Sequence, residues 1–263
     1  TSQAVNAYAE CCERYLGSNK TALIWEGKNG ESAQWTFEQL ADASGKLANY
    51  FTSRGLKAGD CVAGLLPRTP ELLITILATW RMGAIYQPLF TAFESKAIEH
   101  RVNTAQTQFI VTNEEQRPKL NGVAVPHILT VHQTTTLSHQ DDDFCTELSQ
   151  QSESFAPVMQ TFEDDFLMMF TSGTTGLAKS VPVPLKAVLA FKGYMTHAVD
   201  LREEDSFWNL ADPGWAYGLY YGITGPLSLG HSIIMDERAF SVDNAVQVIQ
   251  KYKVSNLTGS PTA

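Results

Sequence analysis

The chain has 263 residues, 44% hydrophobic and 18% charged, a balance ordinary for a globular fold and long enough for one large domain or two modest ones. Nineteen Lys and Arg against 28 Asp and Glu leave a formal charge of −9, which argues against a general nucleic-acid or anionic-membrane surface. A local phosphate site remains open, because a few donors and one lysine suffice for it. Cys11, Cys12, Cys61 and Cys145 offer no CxxC spacing, so reduced cytoplasmic thiols are expected rather than a disulfide framework or a zinc site.

The chain begins at Thr1, which implies processing or trimming, and shows no basic start followed by an apolar run. Val5, Tyr8, Cys12 and Tyr15 recur at helical spacing and predict an amphipathic helix. Residues 21–25 read as a strand, Lys28-Asn29-Gly30 as a tight turn, and Ala33-Gln34-Trp35 as the hairpin partner. Thr36 caps the next helix with Gln39 at the capping-box position, and Gly55 supplies a left-handed exit after about Ser53.

From Cys61 the pattern alternates. Strands are expected at 61–66, 84–87, 108–112 and 127–131, with helices at 70–82 and 95–104 between the first three. Such alternation implies a parallel sheet flanked by helices. Residues 138–153 are polar and acidic, including Asp141-Asp142-Asp143, and read as a solvated linker because no ligand spacing accompanies them. Helices are expected again at 185–199 and 241–252, and strands at 207–210 and 254–258. The stretch 213–235 has no formally charged residue, but its glycines and prolines break it as a membrane span and fit a closely packed pocket wall better.

The most specific chemistry lies at residues 171–179. The apolar run Phe166-Leu167-Met168-Met169-Phe170 reads as a buried strand and leads into Thr171-Ser172-Gly173-Thr174-Thr175-Gly176-Leu177-Ala178-Lys179. Glycines let backbone N–H groups approach and turn inward, hydroxyls donate to phosphate oxygens, and the lysine supplies a point charge. The spacing is not that of the GxxxxGK[ST] loop, since Ala178 stands where its second glycine would be, and no GxGxxG occurs. There is also no GxSxG, and the histidines, including His127, His132 and His139, show no HExxH spacing, so they read as surface or core residues.

This loop resembles the signature T-S-G-[ST]-T-G-x-P-K-G of the AMP-forming acyl-CoA synthetase, adenylation-domain and luciferase superfamily. Thr171, Ser172, Gly173, Thr174, Thr175, Gly176 and Lys179 match it; Ala178 replaces the proline and Ser180 the last glycine. Thr36-Phe37-Glu38-Gln39-Leu40 with Gly59-Asp60-Cys61-Val62 is similar to the family's T-[YF]-x-E-L … G-D-x-V, and Gly83-Ala84-Ile85-Tyr86-Gln87-Pro88-Leu89 to its G-A-[VI]-x-x-P-L. Ala211 to Gly218 resembles the acyl-pocket segment of the acetyl- to medium-chain branch.

The resemblance implies an α/β fold: parallel or mixed sheets flanked by helices, as the N-terminal part of a large AMP-binding domain spanning 1–263, with subdomains at 1–60 plus 200–263 and at 61–199. In the family, ATP and Mg2+ activate a carboxylate to acyl-AMP, and coenzyme A then takes the acyl group. Thr171, Ser172, Gly173, Thr174, Thr175, Gly176 and Lys179 would hold the ATP phosphates. Gly214, Trp215, Tyr217 and Gly218 would shape the acyl pocket, and Arg117 and Lys119 could meet coenzyme A phosphates. No metal ligands and no catalytic residues beyond the phosphate loop are expected here. The family's adenine and ribose segments, its hinge, and the C-terminal domain with the adenylation lysine lie further on than residue 263. Two readings follow, part of a short- or medium-chain acid–thiol ligase or a non-catalytic nucleotide- or acyl-binding module.

Overall fold

The computed structural model describes residues 4–131, 141–171 and 177–259. In chain order, α1 (Ala7–Cys11) precedes β1 (Thr21–Glu26), β2 (Ser32–Thr36), α2 (Phe37–Ser53), β3 (Cys61–Leu65), α3 (Pro70–Arg81), β4 (Ile85–Pro88), α4 (Ser95–Ala105), β5 (Phe109–Asn113) and β6 (His127–Val131). Then follow β7 (Asp142–Asp143), α5 (Phe144–Ser149), β8 (Asp165–Thr171), β9 (Lys179–Pro184), α6 (Ala187–His197) and β10 (Phe207–Asn209). The last are α7 (Ala216–Gly218), a π-helix over Leu219–Thr224, α8 (Gly225–Ser228), β11 (Ile233–Asp236), α9 (Val242–Tyr252) and β12 (Asn256–Thr258).

Local chemistry sets many of these bounds. The Gln39 side chain accepts from the Thr36 N–H at 2.9 Å while the Thr36 hydroxyl accepts from the Gln39 N–H at 3.2 Å, so α2 starts in the reciprocal capping box its sequence predicts. Gly55 adopts φ +88° just after the helix. The Ser241 hydroxyl accepts from the Asn244 N–H at 3.1 Å and caps α9.

The chain divides into two compact units, the first comprising Thr1–Ala9, Ala41–Pro67 and Glu71–Leu185, the second Glu10–Leu40, Arg68–Pro70 and Lys186–Ala263. The breaks fall inside α2 and after Leu185, not at 60 and 199. Tyr50 and Phe51 of α2 pack on Phe109 at ring distances of 6.0 and 5.0 Å, which ties that part of the helix to the first unit. Phe191 of α6 stacks on Tyr220 at 4.4 Å, which ties α6 to the second.

In the first unit a seven-stranded sheet runs in the order β7-β6-β5-β3-β4-β8-β9. All neighbours are parallel except β8 and β9, which are antiparallel. All five residues of central β3 are buried, as expected where helices cover both faces. Ile98 and Val102, one turn apart on α4, pack with Ala63, Leu65 and Ile110 of β3 and β5. The Trp80 indole donates to the Phe166 carbonyl at 3.2 Å, anchoring β8 from α3. Buried Arg81 donates to the Ala41 carbonyl at 2.6 Å and the Phe155 carbonyl at 2.8 Å, its guanidinium 4.4 Å from the Tyr8 ring centre. It therefore serves as a hydrogen-bonded core cation.

The second unit holds a three-stranded sheet, β11-β1-β2, in which β2 is the expected hairpin partner of β1 and β11 joins β1 in parallel. A parallel pair, β10 with β12, lies beside α9, whose Val248 packs on Trp208 and Ile234.

Three expectations change. The N-terminal helix ends at Cys11 and continues as a short 3-10 turn, Glu13–Tyr15, so the four spaced apolar residues do not share one helix. The expected acidic linker carries structure where it is described. Asp142–Asp143 pair with β6, and the Asp143 carboxylate caps α5 by accepting from the Thr146 N–H at 2.7 Å. Its acidity serves a helix start rather than solvation alone. Residues 179–184, to which the sequence reading assigned no element, form edge strand β9, where Pro182 and Pro184 are tolerated because an edge needs fewer ladder donors.

Gly45 on α2 offers a direct test of packing in the first unit. A Cβ there would sit 1.9 Å from the Glu153 carbonyl oxygen, a backbone atom that cannot rotate away. Gly45→Ala is expected to lower unfolding free energy by about 1–3 kcal/mol, despite the better helix propensity of alanine. Urea denaturation of both chains measures it, and an unchanged or raised midpoint would contradict the packing described.

Candidate functional site

The hairpin β8–β9 places the two described ends of the glycine-rich segment side by side. Thr171 is the register partner of Lys179, and Phe170 that of Ser180. Thr171 and Lys179 are both exposed. Ser172, Gly173, Thr174, Thr175 and Gly176 lie outside the described residues. The pairing explains how a hydroxyl and a lysine well apart in sequence come to flank one loop. β8 leaves the sheet interior with Phe166, Leu167 and Met169 buried, and β9 returns along it.

Two neighbours on α4 address this neck. The ring Nε2 of His100 lies 2.8 Å from the Ala178 carbonyl oxygen. A carbonyl only accepts, so Nε2 carries the proton and donates. The Arg101 guanidinium lies 4.1 Å from the Phe93 ring centre and 5.6 Å from that of Phe170, and its Nη1 donates to the Ala97 carbonyl at 2.9 Å. Sequence reading missed both residues.

The second candidate set, in the other unit, starts α7. Asp212 opens a turn: its carboxylate accepts from the Gly214 N–H at 2.7 Å and its carbonyl from the Trp215 N–H at 3.0 Å. Pro213 and Gly214 suit the turn's two central positions. Trp215 then flanks the helix start with 46% of its surface exposed. A Cβ on Gly218 would lie 2.2 Å from the Asp212 carbonyl oxygen, so only glycine lets the helix pass this close to the turn. Tyr217 meets Tyr221 edge to face at 5.3 Å, and Tyr221 stacks on Tyr194 at 4.0 Å. The π-helix carries Tyr220 and Tyr221, and its wider turn is bonded by the Thr224 hydroxyl to the Leu219 carbonyl at 2.9 Å. Much of the charge-free stretch 213–235 is thus buried helix followed by β11.

Arg117 and Lys119 sit on a 3-10 turn, Arg117–Leu120. Both are engaged within the protein: Arg117 holds Asp141 through Nε and Nη2, the latter at 3.0 Å, and Asn121 through Nη1 at 3.1 Å. Lys119 donates to the Thr91 carbonyl. Internal bonds thus position both side chains, with part of their N–H donors left over. Among the described residues no group of three or more His, Cys, Asp and Glu side chains is placed to hold a metal ion, and no helix is long and apolar enough to cross a membrane.

Fold and hairpin together define an α/β protein whose mostly parallel sheet ends in an antiparallel, glycine-rich hairpin. The profile of the AMP-binding enzyme family matches residues 10–263, and the chain belongs to that family. It is 30% identical to the acetyl-coenzyme A synthetase of Deinococcus radiodurans, over 100% of this chain and 44% of that protein. Against the acetyl-coenzyme A synthetase of Pseudoalteromonas translucida the identity is 31%, over 98% of this chain and 44% of that one. The crystal structure of an acyl-CoA synthetase from Brucella canis superposes with a TM-score of 0.96 at 48% identity, covering 100% of this chain and 48% of that one. The chain thus spans less than half the length of these relatives.

Asp212 makes the turn sensitive to pH. Burial raises its pKa above the ordinary 3.8, more than the Gly214 N–H and the Arg68 charge lower it. A raised folded pKa contributes stability that is full below the unfolded value and lost as pH rises through the folded one. The contribution of Asp212 to stability should therefore fall as pH rises above 3.8. Asp212→Asn, which keeps an acceptor for Gly214, should be stabilised relative to wild type toward neutral pH. Urea midpoints at several pH values test this, and parallel profiles would contradict it.

Proposed function

We propose that the chain is part of an AMP-forming acid–thiol ligase that activates a short- or medium-chain carboxylate with MgATP and passes it to coenzyme A. The observation that carries the reading is the pairing of Thr171 with Lys179 at the neck of a signature loop, in a chain that belongs to the AMP-binding enzyme family. Its relatives bear the names acetyl-coenzyme A synthetase and acyl-CoA synthetase.

In this reading the carboxylate attacks the α-phosphorus of MgATP, acyl-AMP forms and pyrophosphate leaves; the thiol of coenzyme A then displaces AMP. The chain's own part is to position and neutralise charge, with no protein nucleophile. Thr171 and Lys179, with Ser172, Gly173, Thr174, Thr175 and Gly176, bind the β- and γ-phosphates and the departing pyrophosphate. Magnesium enters with the nucleotide as substrate. Trp215 and Tyr217 wall the acyl group, and Gly214 and Gly218 keep the turn and helix close. Arg117 and Lys119, whose internal bonds leave N–H donors over, are the weaker candidates for coenzyme A phosphates. A reducing, cytoplasmic setting suits four free thiols, one of them the exposed Cys145.

Lys179→Ala is expected to slow ATP–pyrophosphate exchange by the loss of one charge-assisted contact, about 1.5–3 kcal/mol or ten- to a hundredfold, without changing acid preference. Trp215→Gly should shift preference along a series of acids of increasing chain length and leave ATP affinity nearly constant. The assay belongs in a protein with the remainder of the ligase attached. If Lys179→Ala shifted acid preference and Trp215→Gly did not, the two sites would be wrongly assigned.

A further inference from the structure

Where β9 begins, the chain has no proline to stiffen it and depends on a side chain from elsewhere. Ala178 occupies the position before Lys179, and its carbonyl is held by His100 Nε2 at 2.8 Å. α4 cannot easily turn to release this bond. Ile98 and Val102 fix its rotation in the core, and the Gln87 amide of β4 donates to the Arg101 carbonyl at 3.1 Å. Arg101, the next residue, rests 5.6 Å from the ring centre of Phe170, which pairs across the hairpin with Ser180. One helix thus grips both strands of the neck, Phe170 on the way out and Ala178 on the way back.

We propose that His100 is a positioning residue for phosphate binding: by holding the Ala178 carbonyl it fixes the first residue of β9, Lys179, opposite Thr171. The inference rests on the phosphate reading of the hairpin. His100 itself touches no phosphate; it acts through Lys179. An imidazole suits the task because its Nε2–H projects far enough to reach a carbonyl on another element while the ring stays half-buried. Glutamine is the side chain whose terminal N–H has nearly the same reach.

The test is calorimetric titration of inorganic pyrophosphate, with magnesium present, into the chain with the remainder of the ligase attached, as wild type and as His100→Ala, His100→Leu, His100→Gln, Lys179→Ala and the His100→Ala/Lys179→Ala double variant. His100→Ala and His100→Leu should each weaken pyrophosphate by about three- to tenfold, the worth of one hydrogen bond, and His100→Gln should restore affinity to about wild type. Leucine fills the ring's space without a donor, so a loss shared by alanine and leucine but absent in glutamine reports the bond rather than the packing. In the Lys179→Ala background His100→Ala should cost nothing further, because its effect passes through that lysine. Wild-type affinity in both His100→Ala and His100→Leu, no recovery in His100→Gln, or additive losses in the double variant would overturn the proposal while leaving the phosphate site standing. A wild-type chain that binds no pyrophosphate, or one indifferent to Lys179→Ala, would overturn the phosphate reading and this inference with it.

Discussion

The antiparallel return of β9 along β8 is the constraint on which the candidate site depends. Every other neighbouring pair in the seven-stranded sheet is parallel. A parallel return needs a crossover of a dozen residues or more, which would carry Lys179 away from Thr171. Hairpin pairing instead fixes the register from Asp165 opposite Pro184 to Thr171 opposite Lys179, and so brings the loop's two ends together. β8 is itself tied inward by its pairing with β4 and by the Trp80 indole, so the neck inherits the rigidity of the core. A loop on such a base can be rich in glycine without losing the position of its ends.

The prolines of β9 fit the same account. An edge strand exposes unpaired donors and invites another chain, and proline removes a donor. Pro182 and Pro184 therefore blunt the outer edge while Val183 between them is buried. They also hid the strand from sequence reading, because two prolines in six residues argue against a strand unless its edge position is known. β11 was obscured for a related reason: Ile233 to Met235 close a charge-free run whose glycines drew attention to backbone packing. By contrast the capping box at Thr36 and Gln39, the exit at Gly55 and the strand–helix alternation from Cys61 to Val131 were legible because each rests on interactions within a few residues. The two ends of the phosphate hairpin were legible as chemistry but not as a hairpin. His100 left no signal at all, since its partner Ala178 contributes only a carbonyl, which every residue has.

In the second unit the same physics of close approach appears without strands. Gly218 passes the Asp212 carbonyl at a distance no Cβ allows, and Gly225 would put a Cβ 2.6 Å from the Met195 side chain. Between them the helix widens into a π turn that presents Tyr220 and Tyr221 to the rings of α6. A π turn inserts extra backbone into a helix and is costly unless packing holds it, which is why such turns recur at functional positions. Here the aromatic stacks do the holding, and Trp215 is left half-exposed at the helix start, where an apolar ligand could reach it.

Net charge alone does not describe the electrostatics of a chain at −9. What matters is which cations remain available once internal pairs are made. Glu26 and Asp236 are register partners on β1 and β11, two buried acids side by side. Lys251 at 2.6 Å from Glu26 and Arg238 at 2.8 Å from Asp236 neutralise them, with the Tyr252 hydroxyl donating to Glu26. Arg117 is taken up by Asp141 and Lys192 by Glu10. Among the described residues Lys179 has no carboxylate partner, and it stands exposed beside Thr171. The half-buried cations of this acidic chain are thus engaged within the protein, some by carboxylates and others, such as Arg81, Arg101 and Lys119, by backbone carbonyls, whereas Lys179 keeps its charge exposed beside Thr171.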